Sequence, residues 1–284
     1  MTGGSPLAPA TARGVGVTET LAGAVPESLV VVVAALTFLG STWFVTTVGP
    51  AVYLFGPRRG WLTRRDGARL LAVSIGALAV VVLLKGAFAE PRPPESVMRV
   101  AQDGNGFPSG HTTGAAAFYG GLAVLLDAGD RARRYAAAAG LIALVAATRL
   151  FLGVHYLVDV VAGAAVGAAF VAGMVALTRR RVGYGFAVGV ATAAAAVLVV
   201  GPTLDPVAAL GGTSGALAGW LAVTRLDALE APVDARTALP ALVVLGGAAA
   251  YTLAAEAALP VVWAAHAAAG VAFVALPAAQ NFSR

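Results

Sequence analysis

Residues 156–200 read YLVDVVAGAAVGAAFVAGMVALTRRRVGYGFAVGVATAAAAVLVV. Two apolar runs, 156–177 and 184–200, flank the triplet Arg179-Arg180-Arg181, and each has the length needed to cross roughly 30 Å of hydrocarbon. Period does not separate strand from helix in a run that is apolar throughout. Their length and their Ala, Leu and Gly content predict helices, not the roughly 10-residue alternating strands of a barrel. Similar runs extend in both directions, at about 28–55, 68–88, 110–127, 135–151, 206–224, 238–256 and 259–278, so about nine spans are expected. The first is overlong, and Gly49-Pro50 is the expected kink. Frequent Gly and Ala allow close backbone approach, which is how helices associate where lipid removes any hydrophobic drive between them.

Composition agrees. Of 284 residues, 59% are hydrophobic and 12% charged, whereas a soluble domain is about a quarter charged. The mean hydropathy is +0.83, and an ordinary water-soluble protein is excluded. A formal charge of +5 would suit a nucleic-acid binder, but the arginines sit in short clusters between spans and not along a polar face. No nucleic-acid partner is expected. The absence of cysteine excludes a disulfide framework, a thiolate nucleophile and a zinc–sulfur site. Residues 1–25, with Arg13 as their single basic group and much Gly, Ala, Thr and Pro, are expected to form a disordered tail.

The arginines orient the chain. Arg58, Arg59, Arg64, Arg65 and Arg69 precede the second span, Arg131, Arg133 and Arg134 the fourth, and Arg179–Arg181 the sixth. The positive-inside rule makes those loops cytoplasmic. The N-terminus is then outside and the C-terminus inside. Two outside connections, 86–109 and 149–155, are nevertheless polar and basic. A charge at mid-bilayer costs about 2.5–3.5 kcal/mol even on a lenient scale, so charges held near that boundary ask for a reason.

Three clusters lie there. Lys85, the sole lysine beside 18 arginines, precedes Arg92 by seven residues; singly, they read equally well as a snorkelling lysine and a loop arginine. Pro108-Ser109-Gly110-His111 opens the third span, where free N–H groups and the helix dipole favour an anion, although Ser109 alone also reads as an N-cap. Thr148-Arg149 leads to His155 and Asp159, which are four apart and share a helix face, so the carboxylate can fix the imidazole tautomer. Alternation of spans brings Lys85, Arg92, Ser109, His111, Arg149, His155 and Asp159 to one depth on one membrane face. Two helix N-termini, three cations and two histidines, with no second acidic residue to hold a metal, describe a metal-free phosphoryl-transfer site. No cofactor is expected.

Read together, the clusters resemble the three motifs of the type 2 phosphatidic acid phosphatase and haloperoxidase superfamily, Lys-x6-Arg-Pro, Pro-Ser-Gly-His and Ser-Arg-x5-His-x3-Asp. They appear here as Lys85 to Arg92-Pro93, Pro108 to His111, and Thr148-Arg149 to His155 to Asp159, with Thr148 in place of the usual Ser. The resemblance implies an all-α, polytopic transmembrane helix bundle. Residues 26–200 would form a six-helix phosphatase core, and 201–284 would add about three transmembrane helices of unknown role. It further implies that His155 attacks phosphorus to give a phosphohistidine, Asp159 holds its ring, and His111 protonates the leaving oxygen and then activates water. Lys85, Arg92, Ser109, the Gly110 N–H and Arg149 would bind the phosphate. Histidines needing opposite protonation states near about pH 6.5 predict a bell-shaped rate profile.

The expected function is hydrolysis of lipid phosphate monoesters or diphosphates, of the isoprenoid-carrier or phosphatidic-acid type, by a multi-pass protein of the cell membrane with its site on the extracytoplasmic face. A lipid can present its headgroup there while its tail stays in the bilayer. The alternatives are a sugar-phosphate phosphatase of the same superfamily, or a non-enzymatic transporter or lipid-binding protein. In the last third, the glycines of 211–215 suggest close helix packing and His266 a packed or interfacial residue. Oligomeric state is not legible.

Overall fold

A computed structural model describes residues 15–281. Eleven α-helices and no strand are present among them: α1 (Val15–Gly23), α2 (Glu27–Thr37), α3 (Thr42–Phe55), α4 (Arg64–Phe88), α5 (Gly110–Leu125), α6 (Arg131–Phe151), α7 (Leu157–Thr178), α8 (Gly183–Val200), α9 (Leu204–Arg225), α10 (Ala235–Ala254) and α11 (Leu259–Asn281). Six are long and apolar enough to cross a bilayer: α4, α6, α7, α8, α9 and the Leu259–Ala279 part of α11. The protein is an all-α, multi-pass membrane bundle.

Two expectations are corrected at the N-terminal side. The stretch 28–55 is not one span kinked at Gly49-Pro50. Its helix stops at Thr37, passes through a 3-10 turn at Phe38–Gly40 and restarts after Ser41, whose hydroxyl accepts the Phe44 N–H at 3.1 Å as an N-cap. Pro50 sits unbroken inside α3. Nor is the expected tail of 1–25 structureless, because α1 occupies Val15–Gly23 and meets the following helical segment at 115°. The Thr18 hydroxyl donates to the His155 carbonyl at 3.2 Å, which ties α1 to the polar end of the bundle. Residues 1–14 of that expectation lie outside the described residues. Six of the described helices, or seven segments if the bent α1–α2 pair is one span, have the length and apolarity of a span, while α3 with 14 residues and α5 with 16 are shorter.

Small residues set the helix spacing. A Cβ on Gly163 would stand 2.8 Å from the Ser109 carbonyl oxygen, and one on Gly167 would stand 2.7 Å from that of Thr113, so α7 lies directly against α5. That approach places the N-termini of both helices side by side, where the Ser109 N–H donates to the Asp159 carbonyl at 3.0 Å. Close packing also explains Gly211 and Gly215, whose added Cβ atoms would collide with the backbone of α11 at Trp263 and Ala267. The end of α4, the starts of α5 and α7 and the end of α6 thus meet at one end of the bundle. The arginine clusters begin α4 and α6 or link α7 to α8, at the opposite end. There the Arg64 guanidinium donates to the carbonyls of Tyr53 and Leu54 at 3.1 and 3.0 Å, and the Tyr53 hydroxyl donates to Val274 at 3.0 Å.

Candidate active site

Three local structures build the polar end. The first is the 86–109 connection, which folds back so that the Gly106 N–H donates to Glu90 at 2.7 Å; a Cβ on Gly106 would stand 2.8 Å from the Pro91 carbonyl oxygen. The Lys85 ammonium donates to the Asn105 carbonyl, and the Asn105 amide returns a bond to the Lys85 carbonyl at 2.9 Å. The Arg92 Nε donates to the carbonyls of Asp103 and Gly104, both at 3.0 Å. The second is the start of α5, where the Ser109 oxygen caps the helix by accepting from the Thr112 hydroxyl at 3.1 Å and from its N–H at 3.5 Å. The third is the tight turn between α6 and α7. Gly153 has φ +70°, and a Cβ there would collide with the Val97 carbonyl, so only glycine suits this link between Arg149 and His155.

His155 is the centre of the arrangement. Its Nδ1 lies 3.2 Å from Asp159 Oδ2, and its Nε2 lies 3.2 Å from Arg92 Nη1. A guanidinium only donates, so Nε2 carries the lone pair and Nδ1 carries the hydrogen that the carboxylate accepts. The same Asp159 oxygen accepts the Tyr156 N–H at 3.0 Å, which fixes the carboxylate in turn. Burial pushes the His155 pKa down to about 3; its bond to Asp159 opposes that shift, and the positive charges of Arg149, Arg92 and Lys85 reinforce it. The imidazole is therefore neutral at physiological pH, with an oriented, unprotonated Nε2.

The cations converge on the same space. Lys85, Arg92, Gly110, His111, Arg149 and His155 line one end of a single cavity of about 930 Å³. Ser109 and Asp159 lie behind that wall and are fully buried. A Cβ at Gly110 would stand 3.0 Å from Val81 and 3.5 Å from the Lys85 stem, so glycine makes room for the ammonium beside the start of α5. Arg149 donates through one terminal nitrogen to the Thr37 hydroxyl at 2.9 Å and through the other to Gln102 at 3.1 Å. Its buried Nε has no partner among the described residues. Among the described residues, no three His, Asp or Glu side chains gather to hold a metal ion.

The structure thus brings together all eight residues singled out by sequence, six in the cavity wall and two supporting it. Thr37, Gln102 and Asn105, which hold Arg149 and Lys85, were not anticipated. They lie in a helix end and a loop without a readable period, and the only signal was the unusual polarity of the 86–109 connection.

Among known proteins, residues 66–183 match the family model described as the PAP2 superfamily. Over that stretch the chain is similar to the PAP2 superfamily. The matched segment runs from the first turn of α4 to the start of α8 and contains all three clusters. The PAP2 fold is also seen in a similar solved structure, the first transmembrane PAP2-type phosphatidylglycerolphosphate phosphatase from Bacillus subtilis. The two superpose with a TM-score of 0.51 at 22% identity, covering 61% of this chain and 88% of that one. No curated protein matches the chain significantly.

Proposed function

We propose that this protein is an integral membrane phosphatase that hydrolyses lipid phosphate monoesters or diphosphates through a phosphohistidine, without a metal. The single observation that carries the reading is the neutral His155 imidazole, held by Asp159 with its Nε2 lone pair turned into a cavity whose rim is cationic. Nε2 attacks phosphorus, the ester P–O bond breaks, and His111 supplies a proton to the departing oxygen. Water then cleaves the P–N bond while His111 takes its proton, which regenerates both histidines. Lys85, Arg92, Arg149 and the N–H groups at the start of α5 balance the charge that develops on the phosphoryl oxygens. Arg92, now hydrogen-bonded to Nε2, moves onto those oxygens as phosphorus approaches, and Ser109 acts by capping α5 and aiming its N–H groups.

A lipid substrate fits a cup at the end of a membrane bundle, and the solved phosphatidylglycerolphosphate phosphatase of the same fold adds that lipid to the isoprenoid phosphates and phosphatidic acid as a candidate. The arginine clusters at the far end support an extracytoplasmic site, with the N-terminus outside and the C-terminus inside. Phosphate release from a panel of isoprenyl phosphates, isoprenyl diphosphates, phosphatidic acid and phosphatidylglycerol phosphate, in chelator, tests the proposal. Vanadate-sensitive turnover that His155→Ala abolishes is the expected result. Full activity of folded His155→Ala protein would remove the nucleophile and with it the proposal.

A further inference from the structure

The cavity does not end at the phosphate cup. From Lys85 it follows one stripe of α4 through Val82, Leu78 and Ile75 to Leu71, about 21 Å at 1.5 Å per residue and deeper than one leaflet of a roughly 30 Å hydrocarbon layer. Facing that stripe are three helices that lie outside the 66–183 family segment: α9 with Ala209, Gly212 and Ala216, α10 with Leu242 and Gly246, and α11 with Ala269 and Phe273. The far end is closed by the buried cluster of Tyr53, Leu54, Val233, Ala238 and Val274. The side is not closed. Helix α10 packs on α11 without comparable contact with α3, while Trp43, Leu239 and Val243 line the cavity and are half or more exposed.

We infer that α9–α11 are a tail-binding module: the hydrocarbon chain of the phosphate ester enters sideways between α3 and α10 and lies along α4 while its phosphate sits in the cationic cup. The inference rests on the proposed phosphatase reading for the identity of the ligand. Continuity argues for it, because one uninterrupted space joins cationic groups suited to phosphate to walls suited to hydrocarbon. The chamber gives no hydrophobic gain over the bilayer, which is equally apolar; it gives room, and shape therefore decides which chains fit.

That dependence on room is testable at two glycines. Added Cβ atoms at Gly212 and Gly247 meet nothing within 4 Å, and both residues line the chamber, so Gly212→Phe and Gly247→Phe fill it without displacing backbone. Gly173 on α7 has equal space but lies outside the chamber, so Gly173→Phe is the control. In nanodiscs of one lipid composition, kcat/KM is measured for butyl, octyl, dodecyl and hexadecyl phosphate, and retention of hexadecyl phosphate is measured by native mass spectrometry. The hexadecyl-to-butyl ratio of kcat/KM is expected to fall at least ~tenfold in both chamber variants and to hold in the control, with hexadecyl phosphate retention lost in parallel. Unchanged ratios and retention would overturn the inference, as would an equal loss on every chain length. If the wild type retains hexadecyl phosphate but turns over nothing, the phosphatase reading fails, and loss of retention in the chamber variants still upholds the tail site.

Discussion

Asp159 allows charge and geometry to be separated at the proposed nucleophile. One of its oxygens accepts both the His155 Nδ1–H at 3.2 Å and the Tyr156 N–H at 3.0 Å, and the two side chains of the pair are 1% and 0% exposed. In Asp159→Asn the Tyr156 N–H demands an oxygen, so the amide turns its oxygen to the same place and the imidazole keeps its tautomer. The charge is lost while this acceptor is kept. A hydrogen bond to a charged group is worth about 1.5–3 kcal/mol and a neutral one about 0.5–1.5, so the substitution removes roughly 1–1.5 kcal/mol from the developing positive ring, or ~tenfold in kcat. Asp159→Ala instead strands two buried donors at about 1–3 kcal/mol each and frees the ring. Its kcat should fall a further ~hundredfold and its stability by on the order of 3 kcal/mol. The assay is single-turnover phosphate release in detergent, with thermal unfolding of the same samples to normalise for folded protein. A graded order, wild type above Asn above Ala, is expected. Asn as inactive as His155→Ala, or Ala at wild-type kcat per folded molecule, would refute an orienting carboxylate.

Three further outcomes follow from the same geometry. Because the His155 pKa is pushed down to about 3 while an unfolded histidine titrates near 6.5, the unfolded chain takes the proton first as pH falls. This group's contribution leaves stability full above about pH 6.5 and lowers it progressively below that. Nitrogen NMR of the three histidines, each assigned by its own variant, should show residue 155 as the Nδ1–H tautomer from pH 8 to about 5, whereas protonation near 6.5 would refute the burial argument. The acid limb expected from sequence for this residue moves down accordingly. Gly153→Ala forces a Cβ into the Val97 carbonyl at φ +70° and should cost roughly 2–3 kcal/mol in thermal unfolding, together with most of the activity, because the turn links Arg149 to His155. In Arg149→Lys a point charge replaces a fork that reaches Thr37 and Gln102 at once, so kcat/KM should drop by about two orders of magnitude in the lipid phosphate assay while the melting temperature changes little.

What was legible in the sequence was whatever depended on short spacing. Ser109-Gly110-His111 opens a helix as expected, whereas His155 precedes the Tyr156 N-cap of α7 and shares no helix face with Asp159; the pair still meets because Asp159, in the first turn, reaches back to the His155 ring. The break near 38–41 was hidden for the opposite reason. Apolar residues flank it on both sides, and Ser41-Thr42 read as tolerated polar residues until the N-cap bond of Ser41 is seen. Helix α1 was hidden by a Gly- and Thr-containing stretch whose order comes from a distant partner, the His155 carbonyl.

The glycines of α9 mark the limit most sharply. Gly212 and Gly215 are three apart on one helix, and sequence assigns both to close packing. Yet an added Cβ on Gly215 would strike Ala267, whereas one on Gly212 would meet open space in the chamber. Helical neighbours at this spacing lie about 60° apart around the axis, by the 3.6-residue turn. Whether that small angle points at a partner backbone or past it depends on where α11 lies, which α9 alone does not encode. The same residue type therefore glues two helices at one position and leaves room for a hydrocarbon chain at the next. For that reason the volume of a lipid chamber is a property of helix azimuths, and substitution at Gly212, unlike substitution at Gly215, should alter chain selection before it alters stability.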